Sequence, residues 1–120
     1  MDFEKLFEDY KHKSLSGRYI TVEDIEPILI SYEKGSVEII GKSVEEKPIY
    51  SYQIGTGRIK ILMWSQMHGN ESTTTKGLFD FFNFLQSDNE TAKRIKSDYT
   101  LLCIPMLNPD GAFLYTRENA

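Results

Sequence analysis

The segment that most constrains the fold runs from Ile59 to Ile104. An apolar run (Ile61 to Met67) ends in His68-Gly69-Asn70-Glu71, a helix-like stretch follows (Ser72 to Gln86), and a second apolar run closes the unit (Tyr99 to Ile104). Strand, helix, strand in that order predicts two parallel strands joined by a right-handed crossover. Open α/β sheets build their sites in the loops at the carboxyl ends of such strands. The pattern therefore predicts an α/β unit and puts His68 where a site would form.

The flanking segments fit the same plan. Phe3, Leu6, Phe7 and Tyr10 lie at helical spacing, and Ser14 to Gly17 break that helix. Thr21 followed by Glu23 and Asp24 suits a second helix start, with Val22, Ile25, Ile28 and Leu29 as its apolar face. From Ser36 the pattern changes to strands: residues 37–40, 48–54 and 59–64 are rich in β-formers, with turns at 41–47 and 55–57. The run at 59–64 is almost wholly apolar and is expected to be an interior strand, with Met63 and Trp64 in the core. In the 72–86 helix, Leu78, Phe81, Phe82 and Leu85 share a face, while Phe79 and Phe84 fall off it. Residues 88–97 read as a short polar helix or loop. The expected architecture is a single α/β unit over residues 1–120: a mixed twisted sheet flanked by helices, with 1–35 as a helical lead-in.

Composition narrows the function. With 120 residues, 40% hydrophobic and 27% charged, the chain suits a globular protein rather than a disordered one. A net charge of −4 with scattered basic residues gives no basis for general nucleic-acid binding. Cys103 is the one cysteine, so an intrachain disulfide is impossible, and its apolar neighbours suit a small buried hydrophobe. No basic-then-apolar secretory signal opens the sequence, and no stretch is long enough to span a bilayer, so a cytoplasmic location is expected.

His68 and Glu71 are the first candidates for chemistry. Zinc takes imidazole nitrogen and carboxylate oxygen as ligands, and a catalytic zinc usually has three protein ligands and an open position. A plain turn accounts for the other residues: Gly69 for the bend, Asn70 or Ser72 as a cap, Glu71 in the first turn of the helix. That account leaves His68 unexplained, and both readings stay open on spacing alone. Asn108-Pro109-Asp110-Gly111 reads as an ordinary turn leaving the second strand. If the two strands are neighbours, both loops border one cleft. Arg117 could stabilise an oxyanion beside a metal, though spacing does not select it. His12, between two lysines, reads as exposed and idle.

Together these residues carry a resemblance. Ile40-Gly41-Lys42-Ser43-Val44, Lys47-Pro48-Ile49, Ile54-Gly55, His68-Gly69-Asn70-Glu71, Pro105-Met106-Leu107-Asn108-Pro109-Asp110-Gly111 and Arg117-Glu118-Asn119 occur in the order seen in zinc metallocarboxypeptidases of the carboxypeptidase A type. The resemblance covers residues 36–120. It implies one Zn2+ ion in the complete enzyme, with His68 and Glu71 as two of its protein ligands. It also implies that Arg117 polarises the scissile carbonyl, and that the substrate is the C-terminus of a peptide or protein. A metal-activated water is the implied nucleophile.

The family's Asn-Arg pair for the substrate carboxylate, its third ligand (a histidine), its pocket tyrosine and its general-base glutamate would all follow Asn119. The expectation is therefore an amino-terminal part of a carboxypeptidase that binds zinc weakly or not at all and does not hydrolyse peptides by itself. An amidohydrolase of the same fold acting on acylated amino acids, and a non-catalytic binding or assembly module with half a metal site, are the alternatives. The strand 99–104 is expected to lack its flanking segments, and such an uncovered edge predicts a homo-oligomer.

Overall fold

Two stretches of β-formers joined by a polar turn make the first pairing. In the computed structural model, which describes residues 2–119, β1 (Ser36–Lys42) and β2 (Pro48–Ile54) run antiparallel, with Ile39 opposite Tyr50 and a bulge between Ile39 and Gly41. The turn is closed by the Ser43 N–H, which donates to the Lys47 carbonyl at 2.9 Å. β3 (Ile59–Trp64) and β4 (Tyr99–Ile104) are parallel neighbours, with Ile61 opposite Leu101 and Trp64 opposite Ile104. β2 pairs antiparallel with β4, and the strand order is β1-β2-β4-β3. The mixed α/β sheet flanked by helices matches the expectation.

That order overturns two strand assignments. β3 is an edge strand, and its Ile59, Leu62 and Trp64 are 56%, 55% and 51% exposed. Trp64 is thus not in the core, and Met63 only packs against its margin. β4 sits inside the sheet between β2 and β3, so the open edge expected at 99–104 lies at β3. A run of apolar residues shows that a strand has apolar surroundings on offer. It does not say whether those surroundings are present.

The helices are α1 (Phe3–Tyr10), α2 (Val22–Ile30), α3 (Thr73–Gln86), α4 (Glu90–Asp98) and α5 (Pro109–Leu114). Asp24 fixes the start of α2, where its carboxylate accepts from the Thr21 N–H at 2.8 Å. Val22, Ile25, Ile28 and Leu29 are all buried, as the spacing predicts. In α3 the buried residues are Thr75, Phe79, Phe82 and Leu85. Phe79 therefore lies on the core stripe, whereas Leu78 and Phe81 only flank it. The core stacks these rings on the sheet: Phe82 meets Tyr52 with centroids 4.8 Å apart and Phe79 at 5.3 Å. Burying each such ring stabilises the fold by about 1.5–3 kcal/mol. Residues of opposite alternation, Leu62, Trp64 and Leu102, remain exposed.

Candidate metal centre

The two parallel strands are held together past their formal ends. The Ser65 N–H donates to the Ile104 carbonyl (3.0 Å), the Leu107 N–H to Ser65 (3.0 Å) and the Asn108 N–H to Gln66 (3.1 Å). This ladder sets the loop after β3 against the loop after β4. Gly69 then touches the other loop so closely that a Cβ there would lie 1.9 Å from the Gly111 carbonyl carbon. Only glycine fits that approach. The two loops thus border one region, as neighbouring parallel strands require.

Asn108-Pro109-Asp110-Gly111 is a helix start rather than a simple turn. The Asn108 side-chain oxygen accepts from the Gly111 N–H at 2.9 Å, and Pro109 occupies the first turn of α5, where a missing N–H costs nothing. The Asn108 amide also donates to the Met67 carbonyl at 3.3 Å. Asp110 is 1% exposed; its carboxylate accepts from the Ser43 hydroxyl (2.6 Å) and the Glu45 N–H (3.2 Å), which ties the β1–β2 turn to α5. Tyr115 ends α5 in the left-handed region at φ 55°, and the chain folds back with the Thr116 N–H donating to Gly111. That reversal returns Arg117 to the His68 turn.

His68, Glu71 and Arg117 meet there. The Glu71 N–H donates to the His68 carbonyl at 3.0 Å, closing the turn that carries both side chains. His68 Nδ1 lies 3.4 Å from the Arg117 carbonyl, and the Arg117 guanidinium forms an ion pair with the Glu71 carboxylate. Both partners of that pair are more than half exposed. Glu71 does not serve the first turn of α3, which contains no acid, and the Ser72 hydroxyl donates to the Arg18 carbonyl at 2.7 Å instead of capping the helix. The turn explanation of Glu71 therefore loses its main support.

An imidazole nitrogen and a carboxylate in one turn fit zinc by donor chemistry, and the carboxylate already receives a cationic group. The set is incomplete: among the described residues, no group of three or more His, Cys, Asp or Glu side chains comes together. The other histidine cannot help. His12 is half-buried against Phe79, its backbone N–H donates to the Asp80 carboxylate at 2.7 Å, and burial lowers its imidazole pKa against the raising effect of Asp80. It is neither exposed nor idle, because a residue distant in sequence supplies the acid its neighbours lack. Cys103 is buried, and burial pushes its thiol up to about 12, so it offers no thiolate.

Residues the sequence does not single out support the turn. Gln66, with φ at 49°, is buried and bonded to three partners through its side chain. Nothing in its sequence neighbourhood announces that role, since each partner reaches it only through the fold.

These features define an α/β protein with an imidazole and a carboxylate in one turn at the carboxyl end of β3, beside the loop that follows the parallel strand β4. Comparison with known proteins gives the class a name. The Peptidase_M14 family model, zinc carboxypeptidase, matches residues 30–120, and the chain belongs to that family. It is 33% identical over 101 residues to gamma-D-glutamyl-L-diamino acid endopeptidase 1 of Lysinibacillus sphaericus, covering 78% of this chain and 26% of that protein. Its fold matches a metallo-carboxypeptidase from Burkholderia cenocepacia with TM-score 0.71 and 21% identity, over 80% of this chain and 28% of that one. It also matches carboxypeptidase A from Helicoverpa armigera with TM-score 0.68 and 20% identity, over 97% of this chain and 34% of that one. The chain thus spans about a quarter to a third of the length of these relatives.

Proposed function

We propose that this chain supplies the amino-terminal part of a zinc-dependent peptidase site, with His68 and Glu71 as metal ligands and Arg117 as the group that polarises the scissile carbonyl. The observation that carries this reading is the convergence of these three residues at the carboxyl ends of β3 and β4, in a chain of the zinc carboxypeptidase family. The metal, when bound, supplies Lewis-acid polarisation and acidified water. His68 and Glu71 hold it, and Arg117 presents a fixed positive charge to the oxygen that gains negative charge. The substrate class is a peptide with a free C-terminus.

Among the described residues no third His, Cys, Asp or Glu joins His68 and Glu71, which supports the reading that the chain by itself is inactive and binds zinc weakly. The remaining groups come from further polypeptide, consistent with the share of each relative that it spans. The exposed apolar residues of β3 lead the isolated chain to self-associate. The test is hydrolysis of an N-acylated dipeptide with a free carboxylate by the zinc-supplemented chain. No turnover is expected; robust, chelator-sensitive turnover would overturn the inactivity.

A second reading concerns the bond cleaved. The relative from L. sphaericus is by name an endopeptidase for gamma-D-glutamyl-L-diamino acid linkages, and its match covers most of this chain. The same three residues would serve that amide, with specificity set by groups outside the chain.

A further inference from the structure

We propose that Gln66 is a positioning residue: its side chain clamps a left-handed backbone turn and thereby fixes how His68 and Glu71 are presented. This rests on the reading of those two residues as ligands. Gln66 is 4% exposed and has φ at 49°, a region that glycine occupies freely and other residues seldom do. Such a conformation persists only when the surroundings hold it, and strain of this kind collects at sites. Here the hold comes from Gln66 itself.

Its Nε2 donates to the Gly69 carbonyl at 2.8 Å, which closes a ring around Met67 and His68. The same nitrogen donates to the Ile20 carbonyl at 2.9 Å, which ties the turn to the segment before α2. Its Oε1 accepts from the Thr75 hydroxyl at 2.8 Å, and Thr75 is fully buried on α3. Its backbone carbonyl accepts from the Asn108 N–H in the opposite loop. Gln66 is therefore bonded to both sides of the His68 turn and to both loops of the site. The amide group of glutamine alone supplies two donors and an acceptor at this reach. Glutamate would face two carbonyls, and an aliphatic side chain would leave those carbonyls unpaired.

A structural filler would stabilise the fold without controlling the turn. The test separates the two with Gln66→Gly, which keeps the backbone conformation accessible but removes the clamp. Thr75→Val is the second variant; it removes the α3 anchor, and with it the hydroxyl's contacts to Ser65 and the Pro105 carbonyl, at little change in shape. Both are read by NMR on the metal-free chain. The result expected is shifted or broadened signals for the amides of residues 67–71 and for the Arg117 guanidinium, with the β1–β2 signals unchanged. Signals at 67–71 that match the wild type in both variants, whatever the melting temperature does, would overturn the proposal. So would a uniform perturbation of the whole spectrum in both.

Cobalt(II) titration then separates this proposal from the reading beneath it. If the wild-type chain binds cobalt, each variant should bind about tenfold or more weakly, the usual cost of losing a supporting contact behind a ligand. Binding unchanged in both variants would overturn the positioning role. A wild type that takes no cobalt would count against the ligand reading, while the NMR result still decides the clamp.

Discussion

Arg117 and Glu71, 46 residues apart in sequence, form an ion pair beside His68. The guanidinium occupies the carboxylate that the metal reading assigns as a ligand. The two cations therefore compete for one group. Exposed pairs of this kind are worth only about 0.2–1 kcal/mol. Arg117→Ala should accordingly tighten zinc binding to the isolated chain by a few-fold, read by calorimetric titration. Weaker binding in this variant would show that Arg117 supports the metal rather than competing with it.

The contact between Gly69 and Gly111 gives the sharpest stability prediction. A Cβ at 69 would lie 1.9 Å from one backbone atom and 2.2 Å from the next, and neither can move like a side chain. Gly69→Ala should cost about 3 kcal/mol or more, at the upper end of overpacking effects. Chemical denaturation measures it, and a loss under about 1 kcal/mol would mean that the two loops separate easily.

His12 gives the chain a predictable acid dependence. Burial lowers its imidazole pKa below the ordinary 6.5, so the folded state favours the neutral ring. The sign follows from linkage: its stabilising contribution is full above pH 6.5 and is lost as pH falls through the lower folded value. His12→Gln should flatten the stability profile in the interval just below pH 6.5, where the unfolded ring protonates before the folded one. An unchanged slope in the variant would assign the acid sensitivity to other groups.

Edge strand β3 carries the association prediction. Ile59, Leu62 and Trp64 are each more than half exposed on a strand with one unpaired side. Such edges invite pairing unless they are covered or charged. The chain should sediment as a dimer or larger species, and Leu62→Lys with Trp64→Lys should shift it toward monomer. A wild-type monomer at high concentration would contradict this.

Much of the fold was legible because period and punctuation survive in sequence. The apolar face of α2, the polar turn at 41–47 and the strand-helix-strand unit all follow from local spacing. What failed was lateral: an apolar run such as 59–64 does not reveal whether it lies inside the sheet or at its rim. The site shows the same division. His68 and Glu71 share a turn and could be paired by eye, but Arg117 joins them only because Tyr115 reverses the chain after α5. Gln66 was silent, and Asp110 read only as part of a turn, for a similar reason: Ile20, Thr75 and Ser43 meet them only in three dimensions.

The metal role of His68 and Glu71 is the central claim, and cobalt(II) titration of the chain, followed by its visible spectrum, tests it most directly. The account predicts weak saturable binding by the wild type that is abolished in both His68→Ala and Glu71→Gln. Binding that survives in either variant, or no binding by the wild type at millimolar metal, would contradict it.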